Sequence, residues 1–425
     1  MRARLGAGMG ALVERDFRLL FSATLITTVG DRLATIALAF AVLDLGSATD
    51  LGIVLGARQG VNALVLVFGG VISDRLPRNR VLVGASLVQG VAQAATAAFV
   101  LAGTHRLLWL VVFQGFYGVG DGLVLPAEVG LLPQTVSPAR LQEANALQGL
   151  AQNVVRVLGP AVGATIVVAA TPGIALLVDA FSFVVCALLL LQIRIAPRVG
   201  GPPRESFWRE VRSGWREFSS RTWLWASVGL FGLGNLSVAA WGVLGPAIAK
   251  ADLGGAGPWG AILASGGLGS VAGGLLMLRI RPRRPLVASV LSAMLVPLQF
   301  AALAATPPIW TIALATFVAG GGLAAHLALW FTVFQQQVPE HAQSRVSSYD
   351  SLGSFVLIPL GYALAGPLAH TFGASTTLWG GGAFDLACCA AVLALPSVWA
   401  IRSTSEVRPE TAAELLMAVD DPPAR

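Results

Sequence analysis

The chain has 425 residues, of which 55% are hydrophobic and only 12% charged, and its mean hydropathy is +0.74. Water-soluble domains carry about 25% charged residues, so this chain lacks the polar surface that a soluble enzyme, a disordered chain or a collagen-like chain would need. The net charge of +6 comes almost wholly from arginine, Lys250 being the only lysine, and Cys186, Cys388 and Cys389 lie in apolar runs without metal or disulfide spacing.

A membrane-crossing helix takes roughly 20 apolar residues. Hydropathy predicts six such spans at 17–43, 51–72, 81–102, 107–132, 147–170 and 173–193, then six more at 223–249, 259–278, 286–305, 309–334, 347–369 and 377–400. The expected fold is all-α, with twelve transmembrane helices in two six-helix bundles, 1–193 and 223–400. Between them lies a linker, 194–222, and after them a polar tail, 401–425. The linker carries Phe207, Trp208, Val211, Trp215 and Phe218 at helical spacing, with arginines elsewhere, and reads as an amphipathic helix resting on the membrane surface.

Arginine placement sets the expected orientation. With the N-terminus in the cytoplasm, 23 of the 28 basic residues fall in inside segments and two, Arg106 and Lys250, outside. Both termini are therefore expected in the cytoplasm, and the basic residues are topology anchors facing membrane lipid rather than a nucleic-acid surface. The expected location is the cell membrane.

The halves repeat. GGVISDRLPRNRVL at 69–82 aligns with GGLLMLRIRPRRPL at 273–286, and Trp109 and Trp310 open equivalent spans. Duplicated bundles are characteristic of secondary transporters, which bind substrate between the halves. Gly70-x-x-x-Asp74-Arg75-x-Pro77-Arg78 resembles the loop 2–3 signature of the major facilitator superfamily, with Pro77 in place of Gly and Asn79 in place of a basic residue. Gly159-Pro160-x-x-Gly163 is similar to the antiporter motif of its drug exporters. The surroundings of Leu132, Pro133, Asn145 and Arg156 resemble its drug/macrolide-efflux and enterobactin-exporter-like branch. The resemblance implies alternating access and a cytoplasmic gate at Gly70, Asp74, Arg75, Arg78 and Arg140. A plain topology loop is the simpler reading of the same residues.

Polar residues line several spans. Thr24, Thr28, Asp31 and Thr35 share one helical face; Gln114, Tyr117, Asp121 and Glu128 share another; Asn145, Gln148, Gln152 and Arg156 form a third; and Arg58, Gln59 and Asn62 fall in the second span. Ionisable groups at membrane depth need a function or a partner. The proton-coupling candidates are Asp31, Asp121, Glu128, Arg58 and Arg156; for Asp31 the alternative is a structural ion pair with Arg32, Arg58 or Arg156. Asp179 and Asp385 read as structural residues near an interface. Substrate-cavity candidates are Thr28, Gln59, Asn62, Gln114, Tyr117 and Gln152, with Asn235, Trp241, His326 and Trp330 on an apolar, aromatic second half. The expectation is a monomeric, proton-coupled exporter of a small hydrophobic compound, with an importer or a lysophospholipid flippase as alternatives. No cofactor, metal site or enzyme motif is expected, the proton being the coupling ion.

Overall fold

The structure, a computed structural model, describes residues 10–104, 106–195 and 207–403 and has no strand among them. The first half comprises α1 (Arg15–Leu45), α2 (Ala48–Arg75), α3 (Arg78–Leu101), α4 (Leu107–Thr135), α5 (Leu141–Ala169) and α6 (Pro172–Leu191). A short linker helix, α7 (Phe207–Ser219), precedes α8 (Thr222–Asp252), α9 (Ala256–Met277), α10 (Pro285–Ala293), α11 (Pro297–Ala305) and α12 (Ile309–Gln337). The chain ends with α13 (Glu340–Phe355), α14 (Ile358–Phe372), α15 (Ala374–Leu393) and α16 (Pro396–Ala400). Among the described residues, 11 segments are long and apolar enough to cross a membrane, and α2, a 28-residue helix, stands where the sequence places a further span. Lipid offers no partner to a free backbone group, so a helix, with its hydrogen bonds internal, is the form these runs adopt.

Two expected spans are broken. The one at 286–305 divides into α10 and α11 across residues 294–296, because Pro297 has no N–H to continue the ladder. The one at 347–369 begins earlier, at Glu340, and divides before Pro359 into α13 and α14. The linker helix also makes contacts with the second half. Phe218 is buried and its ring lies 5.7 Å from that of Tyr349 on α13, while Arg345 donates a 2.8 Å hydrogen bond to Ser213 Oγ. The helix is thus held on the second half by protein contacts, although Trp215 remains more than half exposed. The side chains of Phe207, Trp208 and Val211, and the tail beyond residue 403, lie outside the described residues.

The packing is asymmetric between the two faces. On the face away from the termini, one continuous apolar core draws on both halves: Leu33, Ile36 and Phe40 of α1, Leu51 and Val54 of α2, Trp241, Val243 and Leu244 of α8, Trp259 of α9, Phe300 of α11 and Ala365 of α14 all belong to it. On the face carrying the termini the core splits. One cluster, with Phe17, Leu82, Leu131 and Leu190, belongs to the first half, and another, with Trp223, Leu286, Val333 and Val392, belongs to the second. The halves are therefore sealed at the distal face and parted at the terminal face. Lys250 Nζ reinforces the seal from α8, lying 2.5 Å from Asp44 Oδ1 and 2.6 Å from the Leu43 carbonyl of α1.

Two seams join the halves. In the first, Gly260 and Gly267 of α9 lie against α5, meeting the Pro160 carbonyl, Ala164, the Arg156 carbonyl and Val157. In the second, Gly52 and Gly56 of α2 lie against Pro359 and Tyr362 of α14. Small residues let these backbones touch, which dispersion rewards even where lipid competes. Within the second half, Gly269 and Gly273 of α9 face Phe317 and Gly321 of α12 so closely that a Cβ would strike backbone.

Two outcomes follow. Gly269→Leu destabilises the detergent-solubilised protein by about 1–3 kcal/mol or more through overpacking, whereas Gly274→Leu, at a position with open space around it, does not; thermal unfolding of the pair checks this. Lys250→Gln raises labelling of cysteine probes at the distal face by a few-fold at most, because a half-exposed ion pair contributes about 0–1 kcal/mol; unchanged labelling removes the latch.

Candidate functional site

The charged residues of the first half converge because glycines bring their helices together. Gly118 and Gly122, one turn apart on α4, lie against the Arg58 and Asn62 carbonyls of α2. Gly120, on the adjoining face, accepts Gln89 of α3. With α2 and α4 in contact, the Arg58 guanidinium lies 3.9 Å above the centre of the Tyr117 ring and 3.5 Å from Asp121 Oδ2. The Tyr117 hydroxyl donates a short hydrogen bond to Asp31 Oδ1 on α1. Asp121, Arg58, Tyr117 and Asp31 thus form one chain of contacts linking α4, α2 and α1.

Beside this chain is a cavity of about 90 Å³ inside the first half. Asp31, Asp121 and Glu128 all line it, with Thr24, Thr27 and Thr28 of α1, Ser86 and Gln89 of α3, and Phe183 and Cys186 of α6. A polar cavity of that size holds a few waters. Glu128 accepts a 2.9 Å hydrogen bond from Thr24 Oγ1 and a short one from Gln148 Nε2. The three acids expected to carry protons therefore share one space. A narrower crevice, between α1 and α5, is lined by Thr24, Thr28, Gln148 and Gln152.

A second network was missed by sequence reasoning. Asp179 is fully buried in the middle of α6, not near an interface. Its Oδ2 accepts a 2.8 Å bond from Gln93 Nε2, and its Oδ1 accepts a 3.4 Å bond from Ser182. Gln114 Nε2 in turn donates to Gln93 Oε1 and Thr96 Oγ1, at 3.2 and 3.1 Å. Gly30 gives Asp179 its room, since a Cβ there would overlap the carboxylate. The signal in the sequence was the run Gln89, Gln93 and Thr96 along the third span.

Other expected residues fall as follows. Gln114 and Tyr117 are completely buried in these networks, and their side chains are covered rather than presented to a cleft. Gln59 and Asn62 are half-buried on α2, while Gln152 and Arg156 are exposed on α5. In the second half, Asn235 donates to the Ser354 carbonyl at 2.8 Å. Trp241 sits in the distal core against Trp259 and Phe300. The His326 ring is buried, 2.9 Å from Ser289 Oγ, and Trp330 is buried with its indole N–H donating to Asp350. These three rings are packed, so they do not form an open aromatic wall in this conformation. Gly159 and Gly163 serve packing inside the first half, against Arg32 and Leu33 of α1; it is the Pro160 carbonyl that faces the second half. At the expected gate, Arg78 donates to the Gly130 carbonyl, and Arg140 donates to the Gly10 carbonyl at 2.9 Å and lies 3.7 Å from Glu14. The side chains of Gly70, Asp74 and Arg75 lie outside the described residues.

Comparison with known proteins bears on the family and the fold. The family model of the Major Facilitator Superfamily matches residues 20–362. The multidrug efflux pump Tap of Mycolicibacterium fortuitum is 25% identical over 380 residues, covering 84% of this chain and 90% of that protein. The enterobactin exporter EntS of Escherichia coli O1:K1 / APEC is 27% identical over 366 residues, covering 83% and 85%. Among solved structures, a bacterial homologue of the iron transporter ferroportin in an inward-facing state has a TM-score of 0.71 at 17% identity, covering 89% of this chain and 98% of that one. A bacterial homologue of the human lysosomal transporter Spinster, inward-facing and unoccupied, has a TM-score of 0.67 at 14% identity, covering 90% and 97%. With its family model spanning most of the sequence and its helices arranged as in these transporters, the chain belongs to the Major Facilitator Superfamily and is a multi-pass membrane transporter of the secondary type.

Proposed function

We propose that this transporter is a proton-coupled exporter, exchanging protons for a small hydrophobic compound such as a drug, an antibiotic or a siderophore-like metabolite. One observation carries the reading: Asp31, Asp121 and Glu128 meet at a single polar cavity, and Arg58, which pairs with Asp121 and covers the Tyr117 ring that binds Asp31, belongs to a helix of the seam between the halves. The printed functions of Tap and EntS support export. In this reading the terminal face, where the arginines concentrate, is cytoplasmic, the membrane is the cell membrane, and the conformation described is open to the cytoplasm.

The coupling works through charge. A proton on Asp121 cancels the attraction that holds Arg58 to α4, and Arg58 is then held by Asp31 and the Tyr117 ring alone. Any movement of Arg58 is a movement of α2, whose Gly52 and Gly56 form the seam with α14. Proton occupancy thereby biases the angle between the halves, and substrate bound beneath the distal core biases the same angle. The family resemblance further implies that Asp74, Arg75 and Arg78 form a breakable lock on closure at the cytoplasmic side.

Asp31→Asn and Asp121→Asn, each alone, reduce pH-gradient-driven efflux from vesicles about tenfold or more, while substrate-for-substrate exchange without a gradient persists. Full gradient-driven transport in both variants refutes the coupling role. Arg58→Gln leaves two carboxylates without their counter-charge and lowers the unfolding temperature. Adding Asp121→Asn recovers part of that loss, with a coupling of about 1–3 kcal/mol; strictly additive effects in the thermal double-mutant cycle dissolve the proposed ion pair.

A further inference from the structure

The ionisable groups deep in the first half are nearly all partnered: Arg58 by Asp121, Asp31 by Tyr117, Glu128 by Thr24 and Gln148, Asp179 by Gln93 and Ser182. Arg32 and Arg156 are different. Both are exposed, and neither has a hydrogen bond or an ion pair among the described residues. Arg32 lies about 26 Å along α1 and Arg156 about 23 Å along α5, at 1.5 Å per residue, so both stand near the middle of their helices.

The two lie close together. A Cβ at Gly159, one turn beyond Arg156 on α5, would stand 2.7 Å from the Arg32 Cβ. Arg32 also immediately precedes the α1 stretch that enters the distal core, and the Arg156 carbonyl faces Gly267 across the seam between the halves. The pair therefore lies where α1 and α5 meet, beside the seam with α9 and next to the distal core. Two cations at this depth without a hydrogen-bonding partner are costly, and their mutual repulsion adds to the cost. A planar anion relieves both, because guanidinium groups present paired N–H donors that match the two oxygens of a carboxylate.

We propose that Arg32 and Arg156 are an anion-recognition pair for the transported compound, which accordingly carries a carboxylate or comparable acidic group on its hydrophobic frame. This rests on the transporter reading above and deepens it by assigning the charge of the substrate.

The test compares 2-naphthoate with 2-naphthamide, which share a ring system and differ in charge, by titration calorimetry on the full chain in phosphatidylcholine nanodiscs. The anion binds at least tenfold more tightly than the amide to the unaltered protein. Arg32→Gln and Arg156→Gln each remove most of that preference, while Arg32→Lys and Arg156→Lys retain part of it, and amide affinity changes little in any variant. Equal affinity for the two probes, or an anion preference that survives both Gln variants, overturns the proposal. So does loss of the arginine dependence when phosphatidylglycerol is included, which assigns the site to a lipid headgroup instead. The titration uses no gradient, so a protein that binds naphthoate through both arginines yet moves nothing against a pH gradient keeps this site and loses the exporter reading.

Discussion

The structure turns on one buried cation. Arg58 sits in a helix that has to run through hydrocarbon, where an isolated guanidinium is among the most expensive groups a protein can carry. It is tolerated because Asp121 stands 3.5 Å away and the Tyr117 ring offers its electron-rich face at 3.9 Å. The same ring spends its hydroxyl on Asp31. Removing any one of the four would leave another without its partner, and that mutual dependence is what makes three helices respond together. The glycines at 118 and 122 are part of the same device, since with any side chain there α2 could not come near enough for Arg58 to cover the ring.

Around this cluster the molecule divides into parts that hold and parts that give. The distal core ties both halves through large apolar side chains, and burial of that kind cannot be undone by degrees in a close-packed interior. The two seams are of another character. They are backbone laid on backbone at glycine, with little side-chain interdigitation, so one half can tilt on the other without repacking rotamers. A seam of small residues beside a plug of large ones is an arrangement with two natural states, plug closed and plug open.

Much of this was legible in the sequence, and the exceptions share a cause. The spans follow from hydropathy because lipid leaves the backbone no alternative to a helix. The breaks ahead of Pro297 and Pro359 were also written there, in residues that cannot continue a ladder, but apolar content alone smooths over them. The three acids were visible as charges where none should be, and they do meet at one cavity. Direction around a helix was harder. Gln114 and Tyr117 are three residues apart, hence about 60° apart in projection, and that difference sends Gln114 toward α3 while Tyr117 reaches α1. Asp179 reads as lying near an interface because it precedes an apolar run, whereas it is buried within α6 and its partner Gln93 lies 86 residues away in the chain. Nothing local to Asp179 announces that contact. The aromatic rings of the second half were misjudged for a related reason: Trp241, His326 and Trp330 are apolar enough for a substrate wall, but apolar rings also fill cores, and here they do.

The unequal chemistry of the halves follows from the duplication. The two bundles carry corresponding loops, and Asp74 of one aligns in sequence with Leu278 of the other. In the second half His326 is paired with Ser289 and Trp330 with Asp350, and α9 is fastened to α12 by glycine contacts. In the proposed coupling, the second half is the counterface for a first half whose charges change. A proton can shift the balance between two conformations only as far as its affinity differs between them. That coupling requires Arg58 to be placed differently in the two states, and α2, which holds Arg58 at one point and the seam with α14 at others, is the element that would carry the difference to the second half.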